Sequence, residues 1–287
     1  MLKAAGEIHY RPNALPAMLQ TGRSGLIAVV MGGFYNPVYA EILRCITAAL
    51  KARNLESLLV DAESDENLDH LVGELSRYRI DGAISTLAIR SPKVASNLER
   101  LGIPIVAINS RRHGKMRVVS TSNRTTGSTA GNALIERGCR KLAYLAGRDN
   151  PSQHDRQRSF CKAVTTRGLA PPEIVVAGFT YEEGYLAASR LFASGARPDG
   201  IFCVNDLVAI GAMDAIKLQF GLRVPEDVQV IGCDDIPMAG WRRHDLTTFA
   251  QDMEALGVAC ADLLQDEPPA QTLTIPSQLI LRGTTLP

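Results

Sequence analysis

The chain has 287 residues, of which 46% are hydrophobic and 21% are charged, and its formal net charge is +1. This composition is typical of a globular protein, and no stretch reaches the roughly 18 uninterrupted apolar residues that a membrane span requires. The near-neutral charge excludes a global field that would attract nucleic acid. The six cysteines form no C-x-x-C pair and are expected to be reduced thiols. No secretory signal is recognisable at the N-terminus, which predicts a cytoplasmic protein.

The first 24 residues precede the first predicted strand and differ in character from the rest. The segment LKAAGEIHY places Leu2, Ala5 and Ile8 on one face and predicts a short amphipathic helix. It is followed by RPNALPAMLQ, a stretch marked by Pro and Asn.

From Gly25 onward, short Val, Ile, Leu and Ala runs alternate with segments of helical period, which predicts βαβ units and a mostly parallel sheet. Several runs are apolar on both faces, as in strands that lie between helix layers. The predicted strands are LIAVVM, SLLVDA, GAISTL, IPIVAIN, KLAYLAG, EIVVAG, GIFCVN and VQVIGCD. After the first of them, NPVYAEILRCITAALKARN predicts a helix with Asn36 as N-cap and Pro37 at its first position. Near the C-terminus, LTTFAQDMEALGVACADLL predicts another helix and SQLILRGTTLP a final strand.

One pattern occurs twice in the chain. YRIDGAIST, around Asp81 and Gly82, returns as ARPDGIFCVND around Asp199 and Gly200, and this repetition predicts two similar lobes. Ligands of doubly wound sheets bind beyond the carboxyl ends of the strands, so a ligand would lie in a cleft between facing lobes. The final strand lies far along the chain from its expected neighbours, which predicts several crossings. The predicted class is therefore α/β, with two doubly wound parallel-sheet lobes, multiple crossovers and a short helical N-terminal segment.

The sequence offers no motif of catalysis or cofactor binding. The loop MGGFYNP lacks the G-x-G-x-x-G spacing, and no G-x-x-x-x-G-K-[ST], H-E-x-x-H or G-x-S-x-G occurs. The five histidines show no metal-ligand spacing. We therefore expect a protein that is not an enzyme and that needs no cofactor or metal.

Five motifs occur in a characteristic order along the chain: YRPNALPAMLQTGRSG, NPVYAEIL, RPDGIFCVND, IGCDDIP and LTTFAQDMEALG. Together they resemble the lactose-repressor (LacI-type) family of bacterial transcription regulators. The resemblance implies a periplasmic-binding-protein-like core that forms a homodimer, senses a small molecule and controls a DNA-binding headpiece. It implies a headpiece and hinge remnant at 1–24, an N-terminal lobe at 25–122 plus 252–276, and a C-terminal lobe at 123–251 plus 277–287.

The same resemblance assigns the N-terminal segments. LKAAGEIHY is similar to the last headpiece helix, and NALPAMLQ to the hinge helix, in which Leu19 matches the residue that wedges into the DNA minor groove. Such a short helix is expected to order only against DNA and a dimer mate. The preceding helix-turn-helix is expected to be missing, and only Lys3, Arg11 and Arg23 supply cations before Gly25. Operator binding by this chain is therefore expected to be weak or absent.

The resemblance also implies effector contacts in the C-terminal lobe. Arg156, in HDRQRSF, falls at the position of the family's ligand-binding arginine, and Arg158 is the alternative. An arginine suits this role because its guanidinium offers a planar fork of hydrogen-bond donors. Asp234 matches the effector-binding carboxylate, whereas Asp235 beside it is expected to cap a turn.

Asn205 is expected to contact the effector and Asp206 to be structural, although either could cap the following helix. Phe179 matches an aromatic that stacks on the effector, with core packing as the alternative. Tyr39 and Val38 are the candidate effector contacts on the N-terminal lobe. Tyr39 is the stronger candidate, because core packing is the default interpretation of Val38. Ser152 and Gln251 complete the predicted site by position only.

The expected effector is a sugar, a sugar acid or a purine-like molecule. Two other classes stay open: a periplasmic-type solute receptor, which shares the two-lobed core, and a Rossmann-like enzyme. The charge run RRHGKMR, at 111–117, is expected to be a solvated loop with no role in nucleic-acid binding.

Overall fold

The computed structural model describes residues 22–62, 78–148, 151–265 and 269–287. The two predicted N-terminal helices and Leu19 lie outside these residues. Within them, no helix is long and apolar enough to cross a membrane. The strands are β1 (Leu26–Met31), β2 (Glu56–Asp61), β3 (Gly82–Ser85), β4 (Ile105–Ile108), β5 (Arg117–Thr121), β6 (Leu142–Ala146), β7 (Glu173–Val176), β8 (Gly200–Cys203), β9 (Gln229–Ile231), β10 (Thr248–Gln251), β11 (Thr272–Ile275) and β12 (Ser277–Ile280). The α-helices are α1 (Pro37–Lys51), α2 (Pro92–Arg100), α3 (Asn123–Glu136), α4 (Pro151–Thr166), α5 (Tyr181–Ala193), α6 (Asp206–Asp214) and α7 (Met253–Gln265).

The strands form two parallel sheets, each at the centre of one lobe. Lobe 1 contains a six-stranded sheet in the order β11-β5-β4-β3-β1-β2, and lobe 2 a four-stranded sheet in the order β7-β6-β8-β9. Strands β10 and β12 pair antiparallel, and two parallel bridges connect the β10 segment to lobe 2, one at the last residue of β9 and one at Asp234 just after it. The predicted α/β class, with two parallel-sheet lobes, is confirmed.

The backbone passes between the lobes at three points in the described chain. It leaves lobe 1 after β5, returns between β10 and α7, and leaves again between β11 and β12. The predicted multiple crossovers are therefore present. Three linking segments lie side by side between the lobes. They restrict the relative motion of the lobes to a hinge-like rotation, because each segment is a further covalent link near the rotation axis.

Both faces of each sheet are covered, as the doubly apolar strands predict. In β1, Ile27, Val29 and Met31 pack with α1 and α7, whereas Ala28 and Val30 face the other way and pack with α2. Each large aliphatic side chain buried in this way contributes roughly 1.5–3 kcal/mol. Strand β6 repeats this pattern in lobe 2 between the α5–α6 pair and the α3–α4 pair.

Helix α1 begins as the sequence predicts. Asn36 is the N-cap, its side chain accepts a hydrogen bond from the Val38 N–H at 3.1 Å, and Pro37 occupies the first turn. The amide of the same side chain also donates to Asp234 of lobe 2.

The helix predicted over 246–264 is wrong at its start. Residues Thr248–Gln251 form β10, and α7 begins only at Met253, where Asp252 accepts a hydrogen bond from the Ala255 N–H. The fully buried Thr247 and Thr248 explain the difference, because β-branched side chains suit a strand and their hydroxyls find partners in lobe 2.

Two strands of lobe 1 have no counterpart in the sequence prediction. Strand β5 begins within the charge run, and Arg117, expected in a solvated loop, is buried in it. Strand β11 lies at the sheet edge with alternating exposure, so it lacks the continuous apolar run of the other strands.

Candidate ligand-binding cleft

A cavity of about 510 Å³ lies between the two lobes. It is bounded by the loop after β1, the start of α1, helix α4 and the segments that follow β8 and β9. Seven of the eight residues predicted for the effector site line it: Val38, Tyr39, Arg156, Phe179, Asn205, Asp234 and Gln251. The eighth, Ser152, belongs to α4, but its side chain is outside the described part.

Lobe 1 contributes Tyr39 and Asn36 to the cleft. Tyr39 packs over Gly33, where a Cβ atom would come within 2.8 Å of the ring, so a side chain there would displace the tyrosine. Burial, and then the charge of Asp234, raise the pKa of Tyr39 above its ordinary value. The phenol therefore stays protonated at neutral pH and can donate a hydrogen bond.

Arg156 is held rigidly in the lobe 2 wall. Its Nη2 and Nε atoms donate to Asn123 Oδ1 at 2.7 and 3.1 Å, and its Nη1 donates to the Val204 carbonyl at 2.5 Å. Three of the five guanidinium N–H groups donate to these two acceptors. Because the side chain is only 7% exposed, its position is fixed before any ligand arrives.

Asp234 reaches across the cleft from lobe 2 to lobe 1. Its Oδ1 accepts a hydrogen bond from Gln251 Nε2 at 2.8 Å, and its Oδ2 accepts one from Asn36 Nδ2 at 3.3 Å. The backbone has a φ of 126°, a conformation that side-chain-bearing residues rarely adopt. Burial raises the pKa of Asp234 to about 6, although the Arg156 charge and the two amide hydrogen bonds oppose this shift.

Gln153 is a cleft residue that the sequence analysis missed. Its Nε2 donates to the Gly147 carbonyl at 2.9 Å, while its buried Oε1 has no hydrogen-bond partner in the described part of the chain. A Cβ at Gly147 would lie 2.2 Å from Gln153 Oε1 and 2.3 Å from Phe179 Cε1, so this glycine permits both side chains to enter the cleft. Gln153 lies three positions before Arg156, on the same helix face, and this spacing could have identified it.

Phe179 and Asn205 are coupled through the main chain. Asn205 caps α6 by accepting a hydrogen bond from the Val208 N–H at 2.9 Å, and its Nδ2 donates to the Phe179 carbonyl at 2.9 Å. Asn205 therefore both caps the helix and lines the cleft, with one amide N–H left over. Its contact with an effector stays a prediction.

Arg158 and Asp235, the neighbours considered beside Arg156 and Asp234, lie outside the cleft. Arg158 lines a different groove, and Asp235 forms an ion pair with Arg282 at 2.7 Å instead of capping a turn. Among the residues with described positions, no cluster of three or more His, Cys, Asp or Glu side chains could hold a metal ion.

Asp206 is completely buried behind the cleft. It accepts hydrogen bonds from the Ile236 N–H at 2.9 Å and from Thr248 Oγ1 at 2.5 Å. Burial, with the nearby Asp234 charge, raises its pKa from 3.8 to about 7. Asp206 thus links α6, the segment after β9 and β10.

This raised pKa has a consequence for stability. The folded protein binds the Asp206 proton more tightly than the unfolded chain, so the stability from this group is complete below about pH 4 and is lost as the pH rises through 7. We expect Asp206→Asn to remove on the order of 3 kcal/mol from this pH-dependent decrease in unfolding free energy. Urea unfolding of both proteins between about pH 4 and 8 measures the difference. An unchanged slope would show that Asp206 keeps an ordinary pKa.

Residues 132–285 match the family described as periplasmic binding protein-like domain. The ribose operon repressor of Halalkalibacterium halodurans is 29% identical over an alignment of 293 positions, which covers 99% of this chain and 87% of that protein. The HTH-type transcriptional repressor PurR of Erwinia tasmaniensis is 30% identical over 270 residues, covering 92% and 79%.

A solved structure shows the same similarity in three dimensions. The complex of the transcriptional regulator CelR with cellobiose superposes with a TM-score of 0.84 and 26% identity, covering 98% of this chain and 88% of that one. The described fold, the cleft between its lobes and these relatives lead to the same assignment: the chain belongs to the LacI family of transcriptional regulators and contains that family's effector-binding core.

Proposed function

We propose that the cleft binds a neutral, hydroxyl-rich effector of the sugar class, which contacts both lobes. The observation that carries this proposal is the cross-lobe hydrogen bond between Asp234 and Asn36, within a cavity of suitable size. A sugar hydroxyl both donates and accepts, so it can bind a carboxylate on one lobe and an amide on the other. Phe179 and Tyr39 provide apolar surfaces for the ring.

The charged groups beside Asp234 favour a neutral ligand at that position, although Arg90 and Arg148 also line the cleft. Arg156 lies near Asp234, whose pKa it lowers, and Arg148 forms an ion pair with Glu183. A carboxylate ligand would meet the Asp234 charge in a partly desolvated site. The Oε1 atom of Gln153 accepts no hydrogen bond within the described part of the chain, so a sugar hydroxyl could donate to it, whereas a carboxylate could not. Sugar acids and purines are the alternatives.

We propose that the effector acts by a population shift. A ligand bound to both lobes stabilises the closed arrangement, and only the difference in its affinity for the two arrangements can drive the change. In a cytoplasmic homodimer, closure would alter the contacts between the two N-terminal lobes and would therefore change the affinity for operator DNA. The role of Leu19 in a hinge helix stays part of this proposal. No catalytic step is proposed.

A thermal-shift screen tests the proposed ligand class. The full chain is heated with a panel that contains ribose, cellobiose, sugar acids and purine bases at equal concentration. At about ten times its Kd, a neutral sugar is expected to raise the Tm by about 3 °C. If only sugar acids or purines stabilise the protein, the neutral-sugar assignment is wrong.

Gln153→Met tests the orphan acceptor. Methionine has a similar length but accepts no strong hydrogen bond, so sugar affinity is expected to fall about tenfold, the effect of one hydrogen bond. The stability of the unliganded protein is expected to change by less than about 1 kcal/mol, because the variant also removes an unsatisfied buried atom. Isothermal titration gives the affinity. Gln157→Met, on the same helix but outside the cleft, is the matched control, and equal affinities for the two variants would remove Gln153 from the site.

A further inference from the structure

A second cavity, of about 640 Å³, lies beside the first crossover between the lobes. We call it the crossover groove. Lobe 1 contributes the segments after β4, the end of β5 and the edge strand β11; lobe 2 contributes the first turns of α3 and α4. Three arginines line it, Arg111 from lobe 1 and Arg124 and Arg158 from lobe 2, together with seven hydroxyl-bearing side chains. The predicted effector residues do not include any of them.

The crossover groove has an excess of positive charge. Among the described residues, Asp155 is the one carboxylate in the groove lining, and it pairs with Arg124 at 3.4 Å. No ion pair involves Arg111 or Arg158 in the described part of the chain. Three arginines against one aspartate leave a net charge of about two, before any contribution from His154. The groove therefore attracts anions although the whole chain is nearly neutral.

The start of α3 adds further donors at the same place. Its N-cap, Ser122, makes no side-chain cap hydrogen bond, and its first turn contains no acidic residue. The first N–H groups of a helix carry partial positive charge and lack intrahelical acceptors, so an anion in the groove could accept from them.

A hydrogen-bond network joins the crossover groove to the cleft. Asn109 lines both cavities. Its Oδ1 accepts from the Thr121 N–H at 2.9 Å and from Asn123 Nδ2 at 3.4 Å, and Asn123 Oδ1 in turn accepts from Arg156. A ligand that moved Asn109 or Asn123 would therefore act on the arginine at the cleft.

We propose that the crossover groove is a second ligand site, which binds a phosphate-bearing metabolite and couples its binding to that of the effector. A phosphate group offers several acceptor oxygens, and guanidinium forks and hydroxyl donors match them geometrically. Because arginines from both lobes contribute, the anion would bridge the pivot and favour one arrangement of the lobes. The coupling must be reciprocal: effector and phosphate ligand change each other's affinity by the same factor.

The test uses pyrophosphate as the probe, added to the full chain at constant ionic strength, with chloride as the comparison. Saturable binding is expected to raise the Tm by about 3 °C at ten times the Kd. Arg111→Gln and Arg158→Gln are each expected to remove most of this rise. Both side chains are exposed, so the variants should fold, which circular dichroism checks. Arg242→Gln, an exposed arginine outside the groove, is the matched control and should retain the full rise.

Two results would overturn the proposal. One is the absence of saturable stabilisation of the wild-type chain by pyrophosphate up to about 10 mM, a concentration at which weak metabolite sites are filled. The other is a rise that survives in the Arg111→Gln, Arg158→Gln double variant. If that rise disappears instead in Arg148→Gln, the anion binds in the cleft. A supporting result needs no sugar ligand, so the groove is tested independently of the proposed effector.

Discussion

Arg156→Ala is expected to abolish stabilisation by the effector and also to weaken the fold. The substitution leaves Asn123 Oδ1 and the Val204 carbonyl without their donor in a buried place. Unpaired buried acceptors of this kind are expected to lower the unfolding free energy by roughly 3 kcal/mol. The carboxylate of Asp234 also loses the positive charge that lowers its pKa. Thermal shift with and without the best sugar of the panel measures both effects.

A charge-preserving variant separates these two effects. Arg156→Lys keeps the cation but cannot donate to Asn123 and Val204 with the same fork. It is expected to recover part of the lost stability while the sugar affinity stays at least about tenfold below that of the wild type. A ligand shift in Arg156→Ala equal to that of the wild type would mean that this arginine does not take part in binding.

Asp234→Asn is expected to weaken binding of the effector, as Arg156→Ala does, but without weakening the fold. A hydrogen bond from a ligand hydroxyl to a carboxylate contributes about 1.5–3 kcal/mol, so the loss of charge is expected to reduce sugar affinity by at least about tenfold. The folded pKa of about 6 lies above the ordinary 3.8, so ionisation of Asp234 destabilises the fold as the pH rises between these values. At neutral pH the unliganded variant should therefore be as stable as the wild type, or more so.

Titration calorimetry across pH adds a second measure of the same carboxylate. Wild-type affinity is expected to fall as the pH drops through about 6, because protonated Asp234 loses its charge, and Asp234→Asn should show no such change. Asp235→Asn is the matched control, since Asp235 pairs with Arg282 outside the cleft. Retention of wild-type affinity by Asp234→Asn would remove this residue from the site.

The sequence predicts those parts of the fold whose signal is local. The apolar faces of β1 and the Asn36–Pro37 start of α1 are visible in a few adjacent residues, and both are observed. Strands β10 and β11 are different, because their partner strands lie far away in the chain. Strand β10 has polar ends and β11 alternates Thr with Leu and Ile, so neither shows a continuous apolar run. Their conformation is determined by the sheet edge and crossover that they complete.

The residues of the cleft likewise divide into those that the sequence predicts and those that depend on contacts in the folded chain. The position of Asp234 after a strand end and the family resemblance at Arg156 are enough to predict that the two residues share one cavity. The role of Asn123 in holding Arg156 depends on a contact between two helices that no local pattern encodes, and the unpartnered Oε1 atom of Gln153 is visible only in the folded structure. Asn205 illustrates a further limit, since one side chain both caps a helix and faces the cleft.

A crystal structure of the chain with the neutral sugar that stabilises it most tests the central claim most directly. The account predicts the sugar between the lobes, with one hydroxyl bound to the Asp234 carboxylate, another donating to Gln153 Oε1, and the ring against Phe179. A sugar that contacts a single lobe, or that lies outside the cleft with the Asp234–Asn36 hydrogen bond undisturbed, would contradict it.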